Sequence, residues 1–193
     1  MNMNFIFASF FTQENLTFDN KEIKKFCLDL KKKSSGKISS NYGGWQSENL
    51  ENTEPILKPL TDIINSKNNQ IKNFFGLYDN LDINIASYWI NINNKNNFNM
   101  PHVHPFCLMA GVYYVKLPKD SGRLVFENPI QQHDFVMLPD TVKKFNSVNS
   151  GYWYAEPKEG DLIMFPSWLR HYVEPSKSNE DRISIAFNLE IGQ

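Results

Sequence analysis

Cysteine is scarce in this sequence of 193 residues, which contains only two, Cys27 and Cys107. They lie far apart, whereas a small secreted domain held by disulfides needs a denser set. Both are therefore predicted to be free thiols in a reducing compartment. The apolar N-terminal stretch is short and lacks a basic segment, so no secretion signal is indicated and a cytoplasmic location is expected.

The sequence also lacks an excess of charge of one sign and a long hydrophobic run. Its 20 basic and 21 acidic residues give a net charge of −1, which argues against general attraction to nucleic acids or acidic membranes. No window approaches the length of a membrane span. No nucleic-acid or membrane partner is therefore predicted. Because 41% of the residues are hydrophobic, a substantial core is expected.

The pattern of the chain changes near residue 80. Before that point, residues 21–33 and 54–75 carry apolar side chains at helical spacing. After it, apolar and polar residues alternate in short runs that turn residues separate. We predict one domain over residues 1–193, in which a helical part, residues 1–80, packs on a barrel core formed by residues 81–193.

The second part of the chain is rich in strand signals. Seven short strands joined by turns are typical of a jelly roll, so the predicted fold class is mainly β, a double-stranded β-helix (cupin-like) barrel with N-terminal flanking helices. The predicted strands cover residues 82–92, 106–117, 122–127, 152–155, 161–165, 169–173 and 182–191.

Histidine spacing indicates a metal site. His102 and His104 are two residues apart, so in an extended chain they point to the same side. His171 lies on a distant strand, and a close pair plus one remote ligand leaves coordination positions open for other molecules. Imidazole suits iron, zinc, copper and nickel, so the ligands alone do not identify the metal. A close histidine pair by itself is a weak signal, since a buried histidine is more often a hydrogen-bonded core residue.

The last strand suggests a binding pocket for an anion. Alternation places Arg182, Ser184, Ala186 and Asn188 on one face of residues 182–191. A guanidinium group beside a hydroxyl group is suited to the carboxylate of a small diacid. An edge strand with Arg182 in solvent is the alternative that the pattern leaves open.

These residues belong to an ordered set of motifs that resembles the 2-oxoglutarate/Fe(II)-dependent oxygenase superfamily. The nearest resemblance is to its small bacterial and phage group, related to prolyl hydroxylases, and it covers roughly residues 40–190. The motifs are residues 40–47 (SNYGGWQS), 102–105 (HVHP), 111–115 (GVYYV), 121–126 (SGRLVF), 159–168 (EGDLIMFPSW), His171 and 182–184 (RIS).

The resemblance implies a function and a role for each site residue. His102 matches the first iron ligand and His171 the distal one. Arg182 matches the arginine that binds the far carboxylate of 2-oxoglutarate, with Ser184 and Tyr114 as its partners there. The implied enzyme is a dioxygenase that uses Fe(II), the small-molecule co-substrate 2-oxoglutarate and O₂. The relatives further suggest a peptide or protein substrate, with hydroxylation of a prolyl residue.

The sequence departs from the superfamily at one ligand position, where His104 replaces the usual carboxylate. His104 is first interpreted as a neutral third ligand, which gives the set His102, His104 and His171. Alternatively it is turned away and leaves an open position, or a nearby carboxylate such as Glu127 replaces it. A three-histidine site carries one more positive charge, which alters iron affinity and redox behaviour.

Two other functions and two rival residues stay open from the sequence. A three-histidine iron site also fits a cupin-type metal dioxygenase that does not use 2-oxoglutarate. A non-catalytic barrel that serves as a binding module is the other hypothesis. Arg123 is a rival anchor for the co-substrate, although an exposed ion pair is expected for it, and His133 lies in a polar loop, at the surface or over the site.

Overall fold

The structure, a computed structural model, describes residues 1–4, 6–51, 54–130 and 139–192. This part of the chain forms α1 (Asn20–Lys33), α2 (Lys58–Ser66) and α3 (Asn68–Phe75), with 3₁₀ turns at Pro55–Leu57 and Pro139–Thr141. The strands are β1 (Thr12–Asn15), β2 (Asn41–Tyr42), β3 (Trp45–Gln46), β4 (Asp82–Asn93), β5 (Phe98–His102), β6 (Met109–Lys116), β7 (Leu124–Glu127), β8 (Tyr152–Ala155), β9 (Asp161–Pro166), β10 (His171–Val173) and β11 (Arg182–Gly192).

The strands form two antiparallel sheets. The six-stranded sheet has the order β1-β9-β6-β11-β4-β3, and the five-stranded sheet has the order β2-β5-β10-β7-β8. The sheets face each other, since Tyr114 of β6 and Phe126 of β7 belong to one buried apolar cluster. Two facing antiparallel sheets of this kind form a double-stranded β-helix, so the predicted fold class is confirmed.

All seven predicted strands are present, several of them shorter than expected, and four further strands were not predicted. Strand β5 contains Pro101 and Asn99, and both residue types are unusual in strands. The strands β1, β2 and β3 lie within residues 1–80, which are therefore not only helical. Strand β1 pairs with β9, β2 with β5, and β3 with β4, so this part of the chain completes both sheets.

The helices share the larger core with the six-stranded sheet. Helix α1 starts at the capping side chain of Asp19 and buries Ile23 and Cys27, while α2 buries Leu60 and Ile64 against the sheet. The helical region predicted over residues 54–75 is divided at Lys67 into α2 and α3. No helix in the described residues has both the length and the apolar character needed to cross a membrane.

Alternation along β11 separates the core from the pocket. The apolar residues Ile183, Ile185, Phe187 and Leu189 belong to the cluster shared with the helices. The intervening residues Arg182, Ser184 and Ala186 line a cavity between the two sheets. The sheet thus turns its apolar face to the helices and a polar face to the interior of the barrel, as the sequence pattern predicts.

Candidate functional site

Three histidines meet between the sheets. His102 is the last residue of β5 and His171 the first of β10, and the two are directly opposite each other in the antiparallel pairing. His104 follows two residues later, and its backbone N–H donates to the carbonyl of Ser167 (3.0 Å). Strand register therefore brings together His104 and His171, which are 67 positions apart in the sequence.

The spacing of the three imidazoles suits a metal ion. One ring nitrogen from each lies within 4.8 Å of the others, and the Nε2 atoms of His104 and His171 are 3.3 Å apart. Ligand nitrogens about 2.1 Å from one ion and at right angles to each other would be about 3 Å apart. The three groups could therefore bind a common ion after a small adjustment of the side chains.

Backbone carbonyls orient two of the rings. The Nδ1 atom of His102 lies 2.7 Å from the carbonyl of Met100, and Nδ1 of His171 lies 2.9 Å from that of Leu169. When Nδ1 donates to a carbonyl, Nε2 is left unprotonated with its lone pair available to a metal. The ring of His104 is held differently, by stacking on Trp89 at a centroid distance of 5.7 Å.

Burial keeps the three imidazoles neutral. It lowers the pKa of His102, and it lowers the pKa of His104 to about 4 with a smaller contribution from His102. Burial and then the two neighbouring imidazoles hold the pKa of His171 well below its usual value. Neutral imidazole is the form that binds a metal, so at neutral pH no proton has to be removed first.

Across the same cavity lies a buried guanidinium group without a counter-ion. Arg182 is 2% exposed, and burial lowers the pKa of its side chain. Its Nη2 donates to Oδ1 of Asn99 (3.3 Å), whereas its Nε has no hydrogen-bond partner. No carboxylate among the described residues pairs with it. An uncompensated buried cation is costly, so this position is suited to an anionic ligand.

Two hydroxyl groups accompany the guanidinium. Ser184 is directly opposite Asn91 of β4 on one side and Tyr114 of β6 on the other, and all three residues line the cavity. Burial raises the pKa of Tyr114 to about 12, although Arg182 acts in the opposite direction. Tyr114 is therefore a neutral hydrogen-bond donor at ordinary pH. Tyr113 points the other way and donates to Asn20 of α1 (2.6 Å).

The cavity joins the two sets of groups. It is lined by residues of both sheets, with the histidines, Tyr114, Arg182 and Ser184 among them. All six site residues predicted from the sequence thus face one space. The donor set fits iron, which imidazoles bind well, and the unpaired guanidinium fits a small dicarboxylate.

The rival residues occupy other positions. Nε and Nη2 of Arg123 donate to the carboxylate of Glu174 (2.6 and 2.7 Å) in an exposed ion pair. Glu127 pairs with Arg170 (2.8 Å) and is not part of the imidazole cluster, which argues against its replacing His104 as a ligand. His133 lies outside the described residues.

Several asparagines lie at the pocket and contact its polar groups, which the sequence did not indicate. Asn99 contacts both Arg182 and Asn93, and Asn91 has a buried side-chain oxygen without a partner. The sequence analysis missed Asn99. Asparagine is common throughout this chain, so residue type gave no signal, and β5 was not predicted as a strand.

A jelly-roll barrel whose interior holds three imidazoles and an unpaired guanidinium has the architecture of a non-haem metal-dependent oxygenase. Comparison with protein families agrees. A family model described as "Putative 2OG-Fe(II) oxygenase" matches residues 87–188, more than half of the chain. The chain belongs to this 2OG-Fe(II) oxygenase family, and it is a 2-oxoglutarate-dependent non-haem iron oxygenase. This confirms the predicted family, enzyme class and cofactors.

Solved structures show the same fold at low sequence identity. A Pseudomonas putida prolyl-4-hydroxylase is 16% identical with a TM-score of 0.61, over 94% of this chain and 93% of that one. A Trichoplax adhaerens prolyl hydroxylase, bound to a peptide of the hypoxia inducible factor oxygen degradation domain, is 15% identical with a TM-score of 0.64, over 93% and 83%. Streptomyces hygroscopicus HygX, bound to nickel, 2-oxoglutarate and hygromycin B, is 12% identical with a TM-score of 0.61, over 93% and 82%. No curated protein matches the sequence.

Proposed function

We propose that this oxygenase hydroxylates a residue of a peptide or protein, a prolyl residue in the first instance, and that six residues bind its cofactors. His102, His104 and His171 hold Fe(II), and Arg182, Ser184 and Tyr114 hold the far carboxylate of 2-oxoglutarate. The observation that carries the assignment is the buried guanidinium group that has no counter-ion and faces the same cavity as three neutral imidazoles.

Each group then has a defined task. Arg182 binds the distal carboxylate, and this ion pair compensates the buried charge of the guanidinium group. Tyr114 donates a hydrogen bond to the same carboxylate and keeps its proton. The apolar residues Leu124, Phe165 and Val173 line the same cavity and limit access of water. The chemistry supplied by bound iron and 2-oxoglutarate is decarboxylation of the co-substrate to succinate and CO₂, coupled to hydroxylation of a C–H bond.

We assign His104 as the third ligand in place of a carboxylate. In support, its Nε2 lies 3.3 Å from that of His171, its ring is held against Trp89, and its pKa is lowered to about 4. A neutral ligand at this position leaves the centre more positive than a set of two histidines and one carboxylate. Anionic co-substrate is therefore attracted more strongly by the centre itself.

The peptide substrate is supported by the relatives rather than by the pocket. Two of the three similar structures described above are prolyl hydroxylases, and one of these holds a peptide. HygX, which is equally similar in fold, was solved with hygromycin B, so the fold itself does not select the substrate.

We further infer that residues 1–193 form one domain in a reducing, cytoplasmic setting. The pairing of β1, β2 and β3 with strands of the barrel supports a single folding unit. Cys27 and Cys107 are both free thiols, which suits a reducing compartment.

Succinate formation tests the proposed site. Anaerobic protein loaded with Fe(II) and 2-oxoglutarate is exposed to air, with and without a library of proline-containing peptides, and succinate is measured. We expect turnover in the native protein and its loss in His171→Ala. Arg182→Met should raise the KM for 2-oxoglutarate at least tenfold, because it removes the ionic contact.

A matched control separates the pocket arginine from arginines in general. Arg123→Met removes an exposed ion pair with Glu174 and should leave the KM for 2-oxoglutarate within twofold of the native value. Equal effects of the two arginine replacements, or succinate formation that survives in His171→Ala, would overturn the assignment.

A further inference from the structure

A second opening reaches the imidazole cluster from the β3 side of the barrel. It is lined by the strands β3, β4 and β11, by the segment around Lys37 and by residues 100–105, and both His102 and His104 face it. We call this opening the amide groove, after Gln46, Asn188 and Asn49 on its walls. It shares Ser40, Trp89, His102 and His104 with the deeper cavity that contains Arg182, whereas its other lining residues differ.

Two carboxamide groups of the amide groove, one on a buried and one on a half-buried residue, have a buried oxygen without a partner. Gln46 is 4% exposed, and its Oε1 has no hydrogen-bond partner in the described part of the protein. The same holds for Oδ1 of Asn188 on β11. Leaving a buried acceptor unpaired is costly, and such groups commonly have a ligand or water as partner. A ligand that offers N–H donors at two points matches these oxygens.

The walls of the amide groove carry one charged side chain, which is positive. Lys37 lines the amide groove, and its Nζ donates to Oδ1 of Asn49 (2.8 Å), a neutral partner. Residues 100–105 and the other described lining residues contribute no carboxylate. A bound metal ion beside His102 adds further positive charge. A ligand with a negative group is therefore favoured over one with a positive group.

The rim adds apolar contact area. Met100 near the end of β5 and Val103 just after this strand are 43% and 44% exposed. Exposed apolar side chains next to buried polar groups are typical of a binding groove, in which polar groups fix orientation and apolar groups supply contact area. The prolyl ring or another aliphatic part of a ligand suits this rim.

We propose that the amide groove binds the substrate as an extended peptide segment that carries an acidic residue. Gln46 and Asn188 accept hydrogen bonds from its backbone amides, and Lys37 pairs with its carboxylate. The proposal rests on the proposed function and deepens it, because it adds to a peptide substrate the residues that recognise it and the charge that they select.

Charge selection is tested by binding, so that it does not depend on turnover. The protein is loaded with nickel(II), in place of iron, and with 2-oxoglutarate. It is then titrated with capped pentapeptides that have a central proline and Glu, Gln or Lys at each flanking position in turn. At the position facing Lys37, the Glu peptide should bind about tenfold more tightly than the Lys peptide.

Charge reversal provides the control within the same series. Lys37→Glu should reverse the preference, so that the Lys peptide binds more tightly. Lys119→Glu makes the same change in charge at an exposed residue outside the groove and should retain the native preference. Equal binding of Glu and Lys peptides, an unchanged preference in Lys37→Glu, or no binding of any peptide would overturn the proposal.

The amide contacts are tested by removing donors from the peptide. N-methylation of each backbone amide in turn should weaken binding to the native protein about tenfold at one position or more. That penalty should disappear in Gln46→Met or in Asn188→Leu, which remove one acceptor each. A penalty that persists in both variants, or no penalty in the native protein, would contradict the assignment of these residues.

A wrong co-substrate pocket and a wrong peptide groove give different results in this titration. If 2-oxoglutarate does not bind to the nickel-loaded protein, the assignment of the co-substrate pocket is wrong. If 2-oxoglutarate binds but the peptides show no charge preference, the pocket assignment stands and the amide groove is not the peptide site.

Discussion

Replacement of Asn99 by aspartate should reduce 2-oxoglutarate binding without removing any residue assigned to contact it. Asn99 is 6% exposed, and its Oδ1 accepts a hydrogen bond from Nη2 of Arg182 (3.3 Å). The neutral carboxamide leaves the guanidinium charge available to a ligand. Asn99→Asp keeps the size of the side chain but gives the guanidinium an internal counter-ion.

The magnitude follows from the distance between these groups. At 3.3 Å, Coulomb's law with an effective dielectric constant of about 20 gives an attraction of about 5 kcal/mol between the new carboxylate and Arg182. A ligand carboxylate on the same guanidinium, about 5 Å from Asp at position 99, would be repelled by about 3 kcal/mol on the same scale. The repulsion of about 3 kcal/mol corresponds to a rise of about 100-fold in the Kd for 2-oxoglutarate.

Calorimetric titration of nickel-loaded protein with 2-oxoglutarate measures this effect. Asn99→Leu is the matched variant, since it removes the acceptor without adding charge, and it should raise the Kd by no more than about tenfold. The metal affinity of both variants should stay close to the native value. If Asn99→Asp binds 2-oxoglutarate within twofold of the native protein, Arg182 is not the anionic-ligand site.

Three further predictions concern stability, thiol reactivity and metal affinity. Gly111→Ala should lower the free energy of unfolding by about 1–3 kcal/mol in urea titrations, because the new Cβ would lie 2.2 Å from the ring of Phe187. A change below about 0.5 kcal/mol would contradict this packing. In native protein at pH 8, a thiol reagent should modify Cys107 but not Cys27, since Cys27 is fully buried and burial raises its pKa to about 12. Rapid modification of both thiols would refute this prediction. His104→Asp should lower the Kd for Fe(II) about tenfold in competition titrations, because a carboxylate attracts the cation more strongly than imidazole does, and weaker binding would argue against His104 as a ligand.

The sequence located most of the barrel because alternation is strong where one face of a strand is apolar. On β11, Ile183, Ile185 and Phe187 lie on one face and Arg182 and Ser184 on the other, which the pattern shows directly. Strand β1 is polar at all four positions and exposed, so it carried no such signal and forms only by pairing with β9. Tertiary pairing, rather than local pattern, decides strands of this kind.

In the helical part, the periodic pattern predicted the helical region but not its division into two helices. Apolar residues continue at helical spacing from Ile56 to Ile71, although α2 ends before Lys67 and α3 starts after it. Both helices bury residues in the same core, Leu60 and Ile64 from α2 and Ile71 from α3. A periodic pattern therefore identifies the buried face but does not show where one helix ends and the next begins.

The site was accessible from sequence only where residue type is rare. Four histidines in the chain made the spacing of His102, His104 and His171 informative, and Arg182 stood out as the basic residue on the polar face of its strand. The contacts of Asn99 with Arg182, and the burial of Gln46 beside the histidines, depend on the pairing of β5 and β3 with their neighbours. No property of an isolated asparagine or glutamine indicates such a position.

The central claim is that three imidazoles hold the iron while the guanidinium group of Arg182 binds 2-oxoglutarate across the same cavity. An anaerobic crystal structure of the protein with Fe(II) and 2-oxoglutarate tests it most directly. We expect Nε2 of His102, His104 and His171 about 2 Å from the ion, and the far carboxylate of 2-oxoglutarate bound by Arg182 and Tyr114. An ion that is not bound by His171, or a 2-oxoglutarate molecule with its far carboxylate away from Arg182, would contradict the account.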